Sequence, residues 1–172
     1  MRIITGHIQK IKLARSLTRG GSCAHNFLLL SLPQNKYTLR VKHFSKLLVA
    51  GTFDHFHVGH QHFLHTASGM CDQLIIIIGR EGTVERIKGR VPRNSEEARL
   101  ERVQSENIPH AHVRLGRKDG NIWETIREEM PNAIFLGYDQ QFDEVKGAKL
   151  FPDIEIMRGN AYRPEHFKSS KF

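Results

Sequence analysis

The stretch DQLIIIIG, residues 72 to 79, sets four consecutive isoleucines behind a leucine and in front of a glycine. A strand with one wet face alternates apolar and polar side chains. This run does not alternate, so as a strand it is buried on both faces. Both faces of that strand must be covered. The flanking sequence fits. KLLVAG reads as a strand, VGHQHFLHTASG as a helix, and NSEEARLERVQSE as a helix opened by a cap-like Asn or Ser, with Ala98, Leu100 and Val103 set among charges. AHVRLG is a shorter strand. NIWETIREEM is a helix with Ile122, Ile126 and Met130 spaced four apart and Pro131 as its stop, and NAIFLGYD and DIEIM are the last strands. Strands alternating with helices predict an α/β fold: a Rossmann-like, doubly wound parallel five-stranded sheet with helices on both faces.

At 172 residues the chain suits one domain of ordinary size. No apolar stretch approaches the roughly 20 residues of a membrane span. Cys23 and Cys71 are far apart and unpatterned, which argues against a disulfide framework or a Cys-based zinc site. A soluble protein of a reducing, cytoplasmic compartment is expected. The net charge of +8 invites a nucleic-acid reading, but it is unevenly spread. Residues 1 to 46 hold nine Lys or Arg and no acid, and the first acidic residue is Asp54. The rest of the chain sets 17 basic against 18 acidic residues, so its body is not a basic domain and no nucleic-acid partner is expected. The division marks residues 1–45 as a basic N-terminal extension, poorly ordered in the first reading and organelle-targeting in the second, ahead of a domain over 46–172.

GTFDHFHVGH, residues 51 to 60, follows directly on the first strand and runs into the first helix. In a doubly wound sheet, ligands bind beyond the carboxyl ends of the strands, where strand order reverses. Gly51 lets the backbone turn closely, the next N–H groups can cradle phosphate, and the helix N-terminus adds partial positive charge. His57 and His60, three apart with Gly59 between, would then face one bound anion and donate hydrogen bonds to phosphoryl oxygens without a metal. The longer histidine run, with His55, His62 and His65, also has the look of a transition-metal site. No Cys or carboxylate is placed to complete it. No tightly bound metal is expected, and His62 and His65 read as ordinary helix residues.

GTFDHFHVGH resembles the HxGH signature of the cytidylyltransferase-like nucleotidyltransferase superfamily, with His57, Val58, Gly59 and His60 as HxGH. TVERIKGR, SEEARLERVQ and LGYDQ follow in the order seen in archaeal-type FAD synthases and glycerol-3-phosphate cytidylyltransferases, so the resemblance covers most of 46–172. It implies transfer of a nucleoside monophosphate from an NTP to the phosphate of a small acceptor, by direct in-line attack and with release of pyrophosphate. ATP is favoured over CTP and FMN over other acceptors. Transfer to phosphopantetheine, or cytidylyl transfer to a glycerol, ethanolamine or sugar phosphate, shares the same frame. A non-catalytic, nucleotide-binding regulatory protein is the alternative of another class. Mg2+ is implied with the NTP, and a homodimer is an expectation from resemblance alone.

The resemblance also distributes roles. His57, His60 and Lys88 are the catalytic candidates, as charge stabilisers at the α-phosphate. Gly51, Thr52, Phe53, Val58 and Gly59 are expected around the nucleotide, with Gly137, Asp139 and Gln140 of LGYDQ reaching its ribose or base. Lys88 and Arg90, read as part of a glycine-containing loop after the second strand, suit the triphosphate or acceptor phosphate. Asp54 is placed with the acceptor or its phosphate, although aspartates also commonly hold turn backbones. Arg99 and Arg102 resemble a helical arginine pair of the family, and surface pairing with Glu96 or Glu106 explains them nearly as well. Near the end, PEHFKSSKF looks like the start of a second signature, with Ser169 and Ser170 as triphosphate contacts. The chain stops at Phe172 before the expected arginine, so the domain is expected to be cut short in this motif.

Overall fold

The computed structural model describes residues 42–160. The expected extension, apart from its last few residues, and Ser169 and Ser170 lie outside them. Ten elements follow in chain order: β1 Phe44–Gly51, α1 Val58–Ser68, β2 Cys71–Ile78, α2 Glu81–Lys88, α3 Glu96–Gln104, β3 Ala111–Leu115, α4 Ile122–Glu129, β4 Ala133–Leu136, α5 Glu144–Leu150 and β5 Glu155–Arg158. The strands form one sheet in the order β3-β2-β1-β4-β5, and every neighbouring pair is parallel. The chain builds outward from β1 through β2 to β3, then crosses back to β4 and β5. The order therefore reverses between β1 and β4, as the alternating pattern predicts.

The isoleucine run is explained by its position. Strand β2 lies between β1 and β3, with Leu47 opposite Leu74, Val49 opposite Ile76 and Ile77 opposite Arg114. Its side chains alternate between two cores. Leu74, Ile76 and Ile78 join Leu47, Val49, Leu64 and Val103 on the face covered by α1 and α3. Ile75 and Ile77 join Leu48, Ile126, Ile134 and Leu136 on the other, against Trp123 of α4 and Phe142 and Phe151 flanking α5. All five residues from Leu74 to Ile78 are at most 4% exposed. At about 1.5–3 kcal/mol for each fully buried aliphatic side chain, the run contributes roughly 10 kcal/mol of driving force to the sheet.

Three local expectations are corrected. The loop expected at IKGR begins later than that: residues 81–88 are helix α2, and Gly89, at φ 68°, is its left-handed cap, donating to Glu85 O at 2.8 Å. The glycine that suggested a loop ends a helix, so Lys88 is the last residue of α2. Met130 does not extend the apolar stripe of α4. The helix ends at Glu129, Met130 takes a left-handed conformation (φ 46°) and is 76% exposed. A residue before proline is disfavoured in the right-handed helical region, so Pro131 acts one position earlier than the spacing suggests. Helix α5 was not foreseen between the last two strands; Asp143 caps it by accepting from Lys146 N–H at 2.9 Å. Among the described residues no helix is long and apolar enough to cross a membrane.

Candidate active site

The turn after β1 is built around a folded-back phenylalanine. Phe53 is buried and sits at φ 52°, a conformation that non-glycine residues seldom adopt. Its ring lies against Gly51, where a Cβ would meet ring carbons at 2.7 Å, so only glycine fits there without displacing the ring. The same ring meets His60 edge-on, with centroids 5.3 Å apart. The turn thus grips the first turn of α1.

His57 is the N-cap of α1. Its backbone is extended, and its Nδ1 accepts the Gly59 N–H at 3.0 Å. An accepting Nδ1 is unprotonated, so the neutral ring carries its proton on Nε2. The cap therefore fixes the tautomer, which residue spacing alone did not reveal. His60 stacks on His57 with centroids 4.0 Å apart and planes 22° from parallel. Two full charges at that separation repel by about 4 kcal/mol at an effective dielectric near 20, so the rings do not both protonate. Burial and then His57 push the His60 pKa down to about 4, with Lys88 adding to the effect against the His55 backbone; burial and His55 lower that of His57. Both are neutral hydrogen-bond donors at neutral pH.

This has a consequence for stability. Unfolded His60 takes up a proton near pH 6.5, whereas folded His60 resists until about 4. The unfolded state binds more protons in that window, so stability falls as pH drops from 6.5 towards 4, by about 3 kcal/mol from this residue. Urea melts at pH 7 and pH 4 should show wild type losing about that much more than His60→Asn. Equal losses would contradict the assignment. Asp54 and Glu129 also lose stabilising ionisation on acidification, but they do so in both proteins.

Other predicted residues converge on the same end of the sheet. The Lys88 ammonium is held below the usual lysine range, first by partial desolvation and then by Arg90, while Asp139 and Asp54 pull the other way. Lys88 also acts on His60. The turn after β1, the end of α2 and the turn after β4 therefore share one electrostatic site across the β1–β4 reversal. In the last of these, Gly137 N–H donates to Gln140 Oε1 at 3.1 Å, while Arg158 Nη1 donates to the carbonyls of Gly137 and Gln140 at 2.7 and 2.9 Å. Nothing in the sequence marked Arg158 for this role. Val58 opens α1 and is 46% exposed, while Gly59 is committed to the cap. Arg90 is exposed just past the α2 cap.

Asp54 holds backbone, as its turn-holding alternative allows, whereas Arg99 occupies a place the sequence reading did not foresee. Both Asp54 carboxylate oxygens already accept N–H groups, from Arg93 and Asn94, at 2.9 Å each. Burial raises the Asp54 pKa, but these bonds and the Asn94 side chain outweigh it and leave the carboxyl below its ordinary value. Arg99 is no surface residue: at 1% exposure its guanidinium donates to Thr52 O and Gly79 O, both at 2.7 Å, and to Asn94 O at 3.1 Å. An acid-rich helix with arginines gives no signal that one of them points inward. Arg102 behaves as the pairing alternative expects, bonding Glu106 at 2.5 Å and lying 4.7 Å over the Phe56 ring. A cavity of about 500 Å³ opens on this side of the turn, lined by Phe53, Phe56, His57, Asn94, Arg99 and Arg102 among others. His62 and His65 lie exposed on α1, and among the described residues no group of three or more His, Cys, Asp or Glu converges on a point.

Comparison with known proteins places this geometry. Residues 48–168 match the family model described as cytidylyltransferase-like. The FAD synthase of Thermoplasma acidophilum is 38% identical over 111 residues, which covers 64% of this chain and 76% of that protein. The FAD synthase of Pyrococcus abyssi is 34% identical over 131 residues, covering 73% and 88%. Among solved structures, the lipopolysaccharide core biosynthesis protein of Thermoplasma volcanium superposes with a TM-score of 0.62 at 30% identity, over 69% of this chain and 98% of that one. The bifunctional NMN adenylyltransferase/ADP ribose pyrophosphatase of Francisella tularensis shares the fold at a TM-score of 0.54 and 18% identity, over 75% of this chain and 41% of that one.

Proposed function

Because the chain belongs to the cytidylyltransferase-like family and is a nucleotidyltransferase, we propose that it transfers AMP from ATP to the phosphate of FMN, forming FAD and pyrophosphate. The observation that carries the reading is the stacked, neutral His57–His60 pair at the N-terminus of α1, with the His57 tautomer set by its own cap. The choice of FMN rests on the FAD synthases among its relatives.

In this reading an FMN phosphate oxygen attacks the α-phosphorus of ATP. A new P–O bond forms as the bond to the β-phosphate oxygen breaks, and pyrophosphate leaves with that electron pair. His57 and His60 donate hydrogen bonds to the α-phosphoryl oxygens, on which charge builds in the transition state. The N–H groups of the first turn of α1 and its dipole favour the same charge. Lys88 supplies a positive charge to the leaving phosphates or the acceptor phosphate, and Arg90 supports it from beyond the helix cap. Asp139 and Gln140 sit where β4 ends, on the far side of the reversal, in reach of the ribose or base. Mg2+ bound with the triphosphate would offset its charge and would be held chiefly by phosphate and water oxygens, since the Asp54 carboxylate already accepts N–H groups on both oxygens.

The test offers ATP or CTP, with Mg2+, alongside FMN, phosphopantetheine, glycerol phosphate, ethanolamine phosphate and a sugar phosphate. Pyrophosphate should appear with ATP and FMN and not with CTP and the other acceptors. Release with CTP and a polyol phosphate would move the chain to the cytidylyl branch. ATP binding with no release from any pair would support the regulatory alternative instead.

A further inference from the structure

The strongest unassigned feature is a set of hydrogen bonds joining the phosphate turn to the segment that follows α2. Asp54 Oδ1 accepts Asn94 N–H and Oδ2 accepts Arg93 N–H, each at 2.9 Å. The Asn94 side-chain amide returns two bonds, to Asp54 O at 2.8 Å and Oδ1 at 3.1 Å. Arg99 then grips Asn94 O and Thr52 O together, so the two segments are tied on both sides of the turn. Four residues separate the Gly89 cap of α2 from Asn94, and Arg90 lies within that tether. Those four residues are exposed or half-buried, so little packing holds the chain there besides the clasp.

We propose that Asp54 is a positioning residue: through Arg93 and Asn94 it anchors the far end of the 89–94 segment and so sets Lys88 and Arg90 against the histidine cradle. This rests on the phosphate-handling role given to Lys88 above. The carboxylate geometry argues for it over direct substrate contact. A carboxylate whose two oxygens receive three N–H donors offers little to an incoming anion, which its charge would repel, whereas two fixed N–H bonds and a reciprocal amide define a register. The segment joins Lys88 directly at the αL cap of Gly89, so the clasp at its far end restrains the end of α2 that carries Lys88. Misplacement of a catalytic group by about 1 Å can cost roughly a hundredfold in rate, which a modest lengthening of this tether would produce.

Asp54→Ala should lower kcat/KM for pyrophosphate release by about ten- to a hundredfold, with Asp54→Asn, which keeps one accepting oxygen, recovering part of the loss. Asn94→Ala, which leaves the signature motif untouched, should act in the same direction if Asp54→Ala fails to fold. The deciding readout is a double-mutant cycle with Lys88→Ala. Loss of Lys88 should cost much less in the Asp54 or Asn94 variant than in wild type, because its charge is already out of place. Amide exchange at Arg93 and Asn94 should rise in Asp54→Ala whatever the activity. Fully additive losses, or unchanged exchange at those amides, would overturn the proposal while leaving the nucleotidyl-transfer reading intact. A wild-type protein that releases no pyrophosphate, yet shows the exchange change, would overturn that reading and the catalytic half of the proposal with it.

Discussion

Replacing His57 with asparagine is expected to abolish most activity while leaving the fold intact, with kcat/KM falling by roughly a hundred- to a thousandfold and the melting temperature unchanged within about 2 °C. The two halves of that expectation come from two atoms of one ring. Nδ1 accepts the Gly59 N–H and caps α1; an asparagine oxygen at an N-cap does the same as well as any side chain. The Nε2–H, which faces the transferring phosphate in the proposed reaction, has no counterpart in asparagine. His57→Ala removes both and should therefore lose about 1 kcal/mol of stability in addition to the rate. Kinetics and thermal melts of the two variants separate catalysis from capping. An active His57→Asn enzyme would remove His57 from the chemistry.

The second large effect is expected at Arg99. Arg99→Leu leaves the carbonyls of Thr52, Gly79 and Asn94 without the donor that now reaches all three. At about 1–3 kcal/mol for each buried polar group left unsatisfied, with some relief from water, a loss of roughly 3 kcal/mol is expected. Chemical denaturation measures it. Among the described residues no carboxylate bonds the buried guanidinium, and burial lowers its pKa, although Asp54, Glu81, Glu96 and Glu97 oppose that shift. The charge is therefore supported by the surrounding field and by three carbonyl dipoles. Arg99→Lys retains the charge but not the fork that spans three loops, so it should recover little of the stability. A lysine variant as stable as wild type would show that charge, not the hydrogen-bond geometry, is what the site needs.

The sheet and both histidines were legible because the physics that places them is written in short stretches. Leu74 to Ile78 can only be a strand buried on both faces, and a glycine turn between such a strand and a helix can only lie at the carboxyl edge. Arg99 was not legible. Its neighbours Glu96, Glu97, Glu101 and Arg102 give α3 the composition of a solvated helix, and its inward direction is set by carbonyls that are 20 and 47 residues away in sequence. Helix α2 was hidden by Gly89, which reads as a loop residue until it proves to be a C-cap. Asp54 was half legible: aspartates hold turns, but the backbone it holds belongs to residues 93 and 94, not to its own turn. Local pattern finds elements, and long-range hydrogen bonds decide which charged side chains are structural.

The phosphate turn also shows why position outweighs residue type. Five histidines lie between residues 55 and 65, and His62 and His65 are exposed on the outer face of α1. His57 and His60 differ from these by sitting on the cap and in the first turn, packed against each other, with His60 also against Phe53. Burial, His55 beside His57 and His57 beside His60 keep the two rings neutral, and each neutral ring retains one N–H to donate.

The most direct measurement incubates the protein with Mg2+, FMN and ATP labelled at the α-phosphate. The label should pass into FAD, with one pyrophosphate released for each FAD formed and no label retained covalently on the protein. Label appearing in a protein-bound adenylate, or pyrophosphate released from ATP with no labelled FAD, would contradict direct adenylyl transfer to FMN at the His57–His60 cradle.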